Sequence, residues 1–248
     1  MSKLSVRHLA AAAVLLALGS LLCWQIFATL RYQWNWSGVW ADRQLLLKGW
    51  GVTVLLAAGA MVGSVLLGLL LAAGQRVKDP VIRWTCRGYV GLIRGTPLLT
   101  QLLIGYYIVA NALQLDSKIV AGILLLTAFE AAYLAEILRG GVESIEKAQW
   151  DAARAVGFSR WQTWRHVILP QTLRRVLPGL AGVGASLVKD SSLLSVLGIQ
   201  EFARRADMVA SQHTAPLEAY LPMALGYLIL TLPLTWLAGI LERRWRGA

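Results

Sequence analysis

The stretch Trp50-Gly-Val-Thr-Val-Leu-Leu-Ala-Ala-Gly-Ala-Met-Val-Gly-Ser-Val-Leu-Leu-Gly-Leu-Leu-Leu-Ala-Ala-Gly74 contains no ionisable side chain. A hydrocarbon core of ~30 Å is crossed by about 20 consecutive apolar residues in a helix. This run is therefore long enough to span a membrane. Further runs of similar character cover Leu9–Leu30, Tyr89–Ala110, Ile119–Leu138, Leu180–Ile199 and Tyr220–Leu241. The chain of 248 residues is 57% hydrophobic and 15% charged, a balance far from that of a soluble domain. The expectation is an all-α membrane protein of about six transmembrane helices in one bundle, with no room for a second globular domain.

The charges orient the bundle. Arg31, Arg43, Lys48, Lys118, Arg204 and Arg205 fall on one side, Arg94 and Lys189 lie within spans, and the other sixteen of the 24 Lys and Arg share the opposite side. Basic loops are retained in the cytoplasm, so both termini are expected to face inward. The net charge of +11 then reports topology, and no basic surface of the kind that binds nucleic acid is implied. Trp34, Trp36 and Trp40 are placed at the outer interface, as in an aromatic belt. Lys3 and Arg7 before the first run suggest a secretory signal. The run exceeds the 7–15 apolar residues of such signals, and no small-residue cleavage site follows it. Cys23 and Cys86 lack the paired spacing of a disulfide framework or metal knuckle.

A polar insertion, Arg139 to Pro178, separates the fourth and fifth runs on the inner side. Long loops are usually functional or disordered, and this one carries helix punctuation. Ser144 is placed to cap a first helix and Gly157 to end it with a left-handed residue. Ser159 with Gln162 forms a capping-box pattern for a second helix, on which Trp161, Trp164 and Ile168 are spaced for one apolar face. Pro170 suits the first turn of a further helix. Such a hairpin either lies on lipid headgroups or docks a cytoplasmic partner.

Ala148-Gln-Trp-Asp-Ala-Ala-Arg-Ala-Val-Gly157, followed by Val167-Ile-Leu-Pro-Gln171, resembles the EAA loop of permeases of ATP-binding-cassette (ABC) importers. Arg94-Gly-Thr-Pro-Leu-Leu-Thr-Gln101, Ala132-Tyr-Leu-Ala-Glu-Ile-Leu-Arg-Gly-Gly141 and Leu187-Val-Lys-Asp-Ser-Ser-Leu-Leu-Ser-Val196 narrow the likeness to the polar amino-acid group, across Leu47 to Glu242. The resemblance implies a type I importer transmembrane domain at 47–242, preceded by a helix and periplasmic loop at 1–46 and followed by a cytoplasmic tail at 243–248. It implies an inner-membrane permease without catalytic residues. The partners would be a cytoplasmic ATP-binding subunit holding ATP and Mg, a periplasmic substrate-binding protein and a second permease, identical or paralogous. Gln149, Asp151, Ala152, Ala153, Gly157 and Trp161 would couple to the ATPase. Two departures stand out: Asp151 replaces the family's usual Glu, and Glu130 falls where a small or amide side chain is expected.

The chain has no phosphate-binding loop of the Gly-x-x-x-x-Gly-Lys-Ser/Thr type, so ATP hydrolysis by that route needs another subunit. His8, His166 and His213 are too scattered for a metal site, and no nucleophile–base constellation assembles. An ion-coupled secondary transporter would also use midplane charges but has no need of the EAA-like loop.

Charges within the spans need partners or a wet cavity. Glu136 and Arg139, three apart on one helix, are spaced to pair. Arg94 either snorkels or lines the pathway with Thr96. Lys189, Asp190, Ser191 and Ser192 either make interhelical contacts, such as Lys189 with Glu130, or line the translocation path. Glu130 either neutralises Lys189 or meets a basic solute. Gly59, Gly63, Gly91 and Gly95 are expected at close helix contacts.

Overall fold

The computed structural model describes residues 6–30 and 32–245, and every described element is helical. Lys3, Arg31, Arg246 and the last residues of the expected tail lie outside them. The described residues divide into two compact units, one up to Ser37 and the other from Gly38 onward. The first contains α1, Val6–Leu30, followed by an aromatic cluster in which Trp34 and Trp36 stack at 5.8 Å with rings 3° apart.

The second unit holds the bundle. α2, Ser37–Ala41, leads into α3, Arg43–Gly74. α4, Pro80–Arg94, starts with Asp79 accepting from the Ile82 N–H at 3.0 Å and with Pro80 in the first turn, where a missing N–H costs nothing. α5, Leu98–Ile104, continues through a π turn at Gly105–Ala110. α6, Lys118–Glu143, is capped by Ser117, and α7 is Lys147–Ala155. α8, Arg160–Gln162, passes through a π turn at Thr163–Ile168 into α9, Leu169–Asp190, and a 3₁₀ turn at Ser191–Leu197. α10, Phe202–His213, and α11, Pro216–Trp245, complete it.

Among the described residues, four helical segments are long and apolar enough to cross a membrane: Arg43–Gly74, Lys118–Glu143, Arg160–Leu197 and Pro216–Arg244. The expected third span, Tyr89–Ala110, is instead the broken pair Pro80–Arg94 and Leu98–Ala110, bent by 110°. Pro97 is the cause, because its ring disfavours helical geometry at the residue before it. Gln101 braces the break by donating to the Ile93 carbonyl at 2.7 Å and to Thr96 Oγ1 at 2.7 Å. The apolar stretch within α1, Ala13–Thr29, is shorter than a full span.

α3 packs most extensively on α6. A Cβ at Gly59, Gly63 or Gly68 would stand 2.9, 2.6 or 2.9 Å from Ile123 Cδ1, Thr127 Oγ1 or Leu134 Cβ of α6, so the small residues permit this close approach, most strictly at Gly68, where the contact is a Cβ next to the backbone. Gly91 faces open space, and a Cβ at Gly95 would meet the Gly91 carbonyl; neither serves a helix contact as expected. Leu56, Leu126, Leu134, Leu187 and Leu194 form the dry centre where α3, α6 and α9 meet.

The segment 200–216, which lies between the fifth and sixth apolar runs, contains α10. Glu201 caps it, accepting from the Ala203 N–H at 2.9 Å and the Arg204 N–H at 2.7 Å. The same carboxylate accepts from the Tyr227 hydroxyl at 2.7 Å and Thr53 Oγ1 at 3.3 Å, fully buried. Burial pushes its carboxyl up, and the four hydrogen bonds oppose that shift. Glu201 thus ties α10 to α3 and α11. At the far end of α10, His213 Nε2 lies 2.7 Å from Asp42.

Candidate functional site: coupling loop and midspan cavity

The loop between α6 and α9 is built from two helix terminations in succession. α7 ends where Gly157 adopts φ +82°. The Gly157 N–H donates to the Arg154 carbonyl at 2.9 Å and the Phe158 N–H to the Ala153 carbonyl at 3.1 Å. These two bonds constitute a Schellman motif, which satisfies the last carbonyls of the helix. Two residues later the capping box forms: Ser159 N–H donates to Gln162 Oε1 at 2.8 Å, and the Gln162 N–H to Ser159 Oγ at 3.3 Å. Together they fix both the end of one short helix and the start of the next.

Ser144 does not cap α7. α6 runs on to Glu143, so Ser144 falls at its C-terminus, where its hydroxyl donates to the Gly141 carbonyl at 2.8 Å and its own carbonyl accepts from Arg175. Glu146 precedes α7 without a side-chain cap bond. The expected single face of Trp161, Trp164 and Ile168 also divides: Ile168 is fully buried, whereas Trp161 is 71% exposed. A π turn spends more residues per revolution than an α-helix, so positions seven apart fall out of register across Thr163–Ile168. That wide turn immediately precedes Pro170, whose missing N–H suits a place where the regular ladder is already interrupted.

Of the expected coupling residues, Ala153 is buried, while Gln149, Asp151, Ala152, Gly157 and Trp161 are exposed. Gln149 accepts from Gln171 at 3.2 Å, and Trp150 meets Trp164 edge to face at 6.3 Å; both contacts clamp α7 onto the next helix. Val156, 70% exposed, adds an apolar knob beside the Gly157 turn. A depression of ≈ 750 Å³ beside α7 is bordered by Arg76, Glu143, Glu146, Lys147, Trp150 and Asp151. Spacing within the loop gives no sign of Arg76, which arrives from the α3–α4 connection. Asp151 and Arg154 stand 4.0 Å apart and well exposed, a pair worth a fraction of a kcal/mol at most. Asp151 is thus available to another protein.

The second site is a cavity of ≈ 500 Å³ between α4, α6 and α9, lined in part by Arg94, Phe129, Glu130, Tyr133, Glu136, Ser186 and Asp190. On α6, positions 130, 133 and 137 share one face at i, i+3, i+7; on α9, positions 183, 186 and 190 do the same. Arg94 forms an ion pair with Glu136 at 3.2 Å and lies 5.5 Å from the centre of the Tyr133 ring. Arg139 reaches the same Glu136 at 2.9 Å, the expected i, i+3 pair, and also contacts Glu143.

Glu130 does not meet Lys189. Lys189 is exposed, because the residue after Val188 points away from the face that carries Asp190. Glu130, 97% buried, faces the Asp190 carboxyl instead. An ionised side chain at mid-depth costs about 2.5–3.5 kcal/mol on insertion scales, so two facing carboxyls need a proton or a cation. Thr96 and Ser191 are committed locally: Thr96 Oγ1 donates to the Leu92 carbonyl at 3.0 Å, and fully buried Ser191 donates to the Val188 carbonyl at 2.8 Å. Ser192 is half-buried, and none of Thr96, Lys189, Ser191 and Ser192 lines the cavity. Phe129, Tyr133 and Ser186 do, and the helical spacing of Tyr133 from Glu130 and of Ser186 from Asp190 is the signal that points to those two.

Residues 64–247 match the family described as the binding-protein-dependent transport system inner membrane component. The glutamine transport system permease protein GlnP of Escherichia coli (strain K12) is 34% identical over 86% of this chain and 98% of its own length. The glutamate/aspartate import permease protein GltK of Escherichia coli O157:H7 is 32% identical over 86% of this chain and 99% of its own. Among solved structures, an amino acid ABC transporter crystallised with histidines aligns with TM-score 0.78 and 30% identity, over 86% of this chain and all of that one. The methionine ABC transporter MetNI in an inward-facing form shares the fold at TM-score 0.65 and 16% identity, over 81% of this chain and 98% of that one.

Proposed function

Because this chain belongs to the family of binding-protein-dependent transport system inner membrane components, we propose that the solute it passes is a polar amino acid and that α7 is the lever through which ATP hydrolysis drives it. The chain is a non-catalytic permease subunit of an ABC importer, a multi-pass protein of the bacterial inner membrane, and not a secondary transporter. Membership implies an ATPase subunit, a substrate-binding protein and a second permease. In the proposal, ATP and Mg are held by the ATPase, the second permease is a copy or paralogue of this chain, and both termini and the loop 139–178 face the cytoplasm.

The observation that carries the coupling role is the pair of terminations around Gly157. They present Asp151, Ala152, Val156 and Trp161 outward on one turn, while Trp150 against Trp164 and Gln149 against Gln171 anchor α7 to the following helix. Residues 160–197 form one continuous helical span, so a push on the loop is delivered along α9 to Asp190 and the midspan cavity. Solute enters that cavity between Arg94 and the Glu130–Asp190 pair and leaves when the helices exchange outward-open for inward-open packing.

The test is cross-linking in the assembled transporter. A cysteine at Ala152, in a chain with Cys23 and Cys86 replaced, is expected to couple to the ATPase subunit through a short bifunctional reagent, with a yield that changes when ATP is trapped. A cysteine at Ser117 should give none. Equal yields at both positions would refute the docking role.

A further inference from the structure

The midspan cavity carries an imbalance of charge. Glu136 has two cationic partners, Arg94 and Arg139, at 3.2 and 2.9 Å. Neither Glu130 nor Asp190 forms an ion pair among the described residues, although Glu130 is 97% buried and lines the cavity, and Asp190 feels only the through-space charge of its exposed neighbour Lys189. Lys189, the nearest cation in sequence, is exposed and makes no ion pair among the described residues. A buried carboxyl that faces another carboxyl with no cation in contact is matched either by a shared proton or by a positive partner. The walls suit a charged organic group: the Phe129 and Tyr133 rings stand 5.0 Å apart beside Glu130, and aromatic faces attract cations. At the other side of the same cavity, the Arg94 guanidinium can donate hydrogen bonds to a carboxylate.

From this arrangement we infer that the solute is a cationic amino acid, its side-chain cation held between Glu130 and Asp190 and its α-carboxylate directed to Arg94. Selectivity over neutral amino acids arises because a neutral amide in that position leaves two buried carboxyls uncompensated. Glu130 is then a specificity-determining residue, and Asp190 completes the cation site from the helix that continues into the coupling loop. The inference rests on the reading of the chain as an amino-acid importer permease and narrows it to one charge class.

The test uses the complete transporter, with its ATPase and substrate-binding protein, in proteoliposomes. ATP-dependent uptake of arginine, lysine, histidine, glutamine and glutamate is measured singly. At least one of the cationic three is expected to exceed glutamine and glutamate by about tenfold or more. Glu130→Gln should reduce that ratio by about tenfold, through loss of cationic uptake, while Glu130→Asp, which keeps the charge, should preserve it. Wild-type preference for glutamine or glutamate would overturn the inference but leave the importer assignment intact. An unchanged ratio in Glu130→Gln, as expected if the pair merely shares a proton, would also overturn it. Absence of ATP-dependent uptake of every amino acid would overturn the wider reading and this one with it. If Glu130→Gln fails to assemble, the wild-type ratio and Glu130→Asp still decide.

Discussion

Replacing Gly157 with valine isolates the conformational demand of the coupling turn. Gly157 sits at φ +82°, and a Cβ built there meets nothing within 4 Å. The penalty is therefore confined to the backbone. A non-glycine residue in the left-handed region costs roughly 1–2 kcal/mol, and a β-branched one stands at the upper end. Relief by leaving that region breaks the two Schellman bonds, at 2.9 and 3.1 Å, each worth about 0.5–1.5 kcal/mol. Either route disfavours the native turn by at least ~1–2 kcal/mol, a factor of about 5–30 in its population. In the reconstituted transporter, ATP hydrolysis stimulated by substrate-loaded binding protein should fall by a comparable factor in Gly157→Val, with insertion and complex yield unchanged. Gly157→Asn is the control, because asparagine tolerates the left-handed region and should retain most of the stimulation. Full stimulation in Gly157→Val, or equal losses in both variants, would refute the assignment of this turn as the rigid part of the lever.

Asp151→Arg should reverse the charge offered to the ATPase and abolish stimulated hydrolysis while thermal stability of the permease stays within about 0.5 kcal/mol, since its contact with Arg154 is exposed; a matched loss of stability would assign Asp151 to the fold instead. Glu201→Ala should destabilise the bundle by about 2–4 kcal/mol, because the α10 cap is lost and the Tyr227 and Thr53 hydroxyls lose a buried acceptor; a fluorescence-detected melt indistinguishable from wild type would contradict the network. Gly68→Leu should abolish or severely reduce the folded yield, because even a Cβ would meet Leu134 at 2.9 Å, whereas Gly91→Leu, at a position facing open space, should be tolerated. In a chain with Cys23 and Cys86 replaced, an impermeant thiol reagent applied outside should label a cysteine at position 116 and not at 159; the reverse pattern would invert the proposed orientation.

The helical runs other than Tyr89–Ala110, the loop between the fourth and fifth runs, the Gly157 stop and the Ser159–Gln162 capping box were legible in the sequence. Each is a local decision: apolar length, a left-handed glycine or a side chain bonding three residues away depends on neighbours in the chain. The same locality explains the errors. Ser144 carries a capping hydroxyl, but whether it ends α6 or begins α7 depends on how far α6 is extended by packing, and Arg175 supports its carbonyl from 31 residues away. Tyr89–Ala110 reads as one apolar run because hydropathy ignores the conformational limit that Pro97 imposes on its predecessor. No apolar run marks α10, and the acceptor that caps it, Glu201, is held by Thr53 and Tyr227 from two other helices.

What only the tertiary structure decided is the partner of each buried charge. Glu130 could be read as the partner of Lys189 or of a solute as long as only the sequence was known, since charge and depth are properties of single positions. The rotation of α9 turns Asp190 inward and Lys189 outward, and the α3–α6 contact at Gly59, Gly63 and Gly68 fixes where α6 stands. Composition and helical period thus determined that the chain spans a membrane and where the loop between α6 and α9 folds. Which carboxyl meets which group followed from the packing of helices distant in sequence, because a difference of one residue along a helix turns a side chain by about 100°.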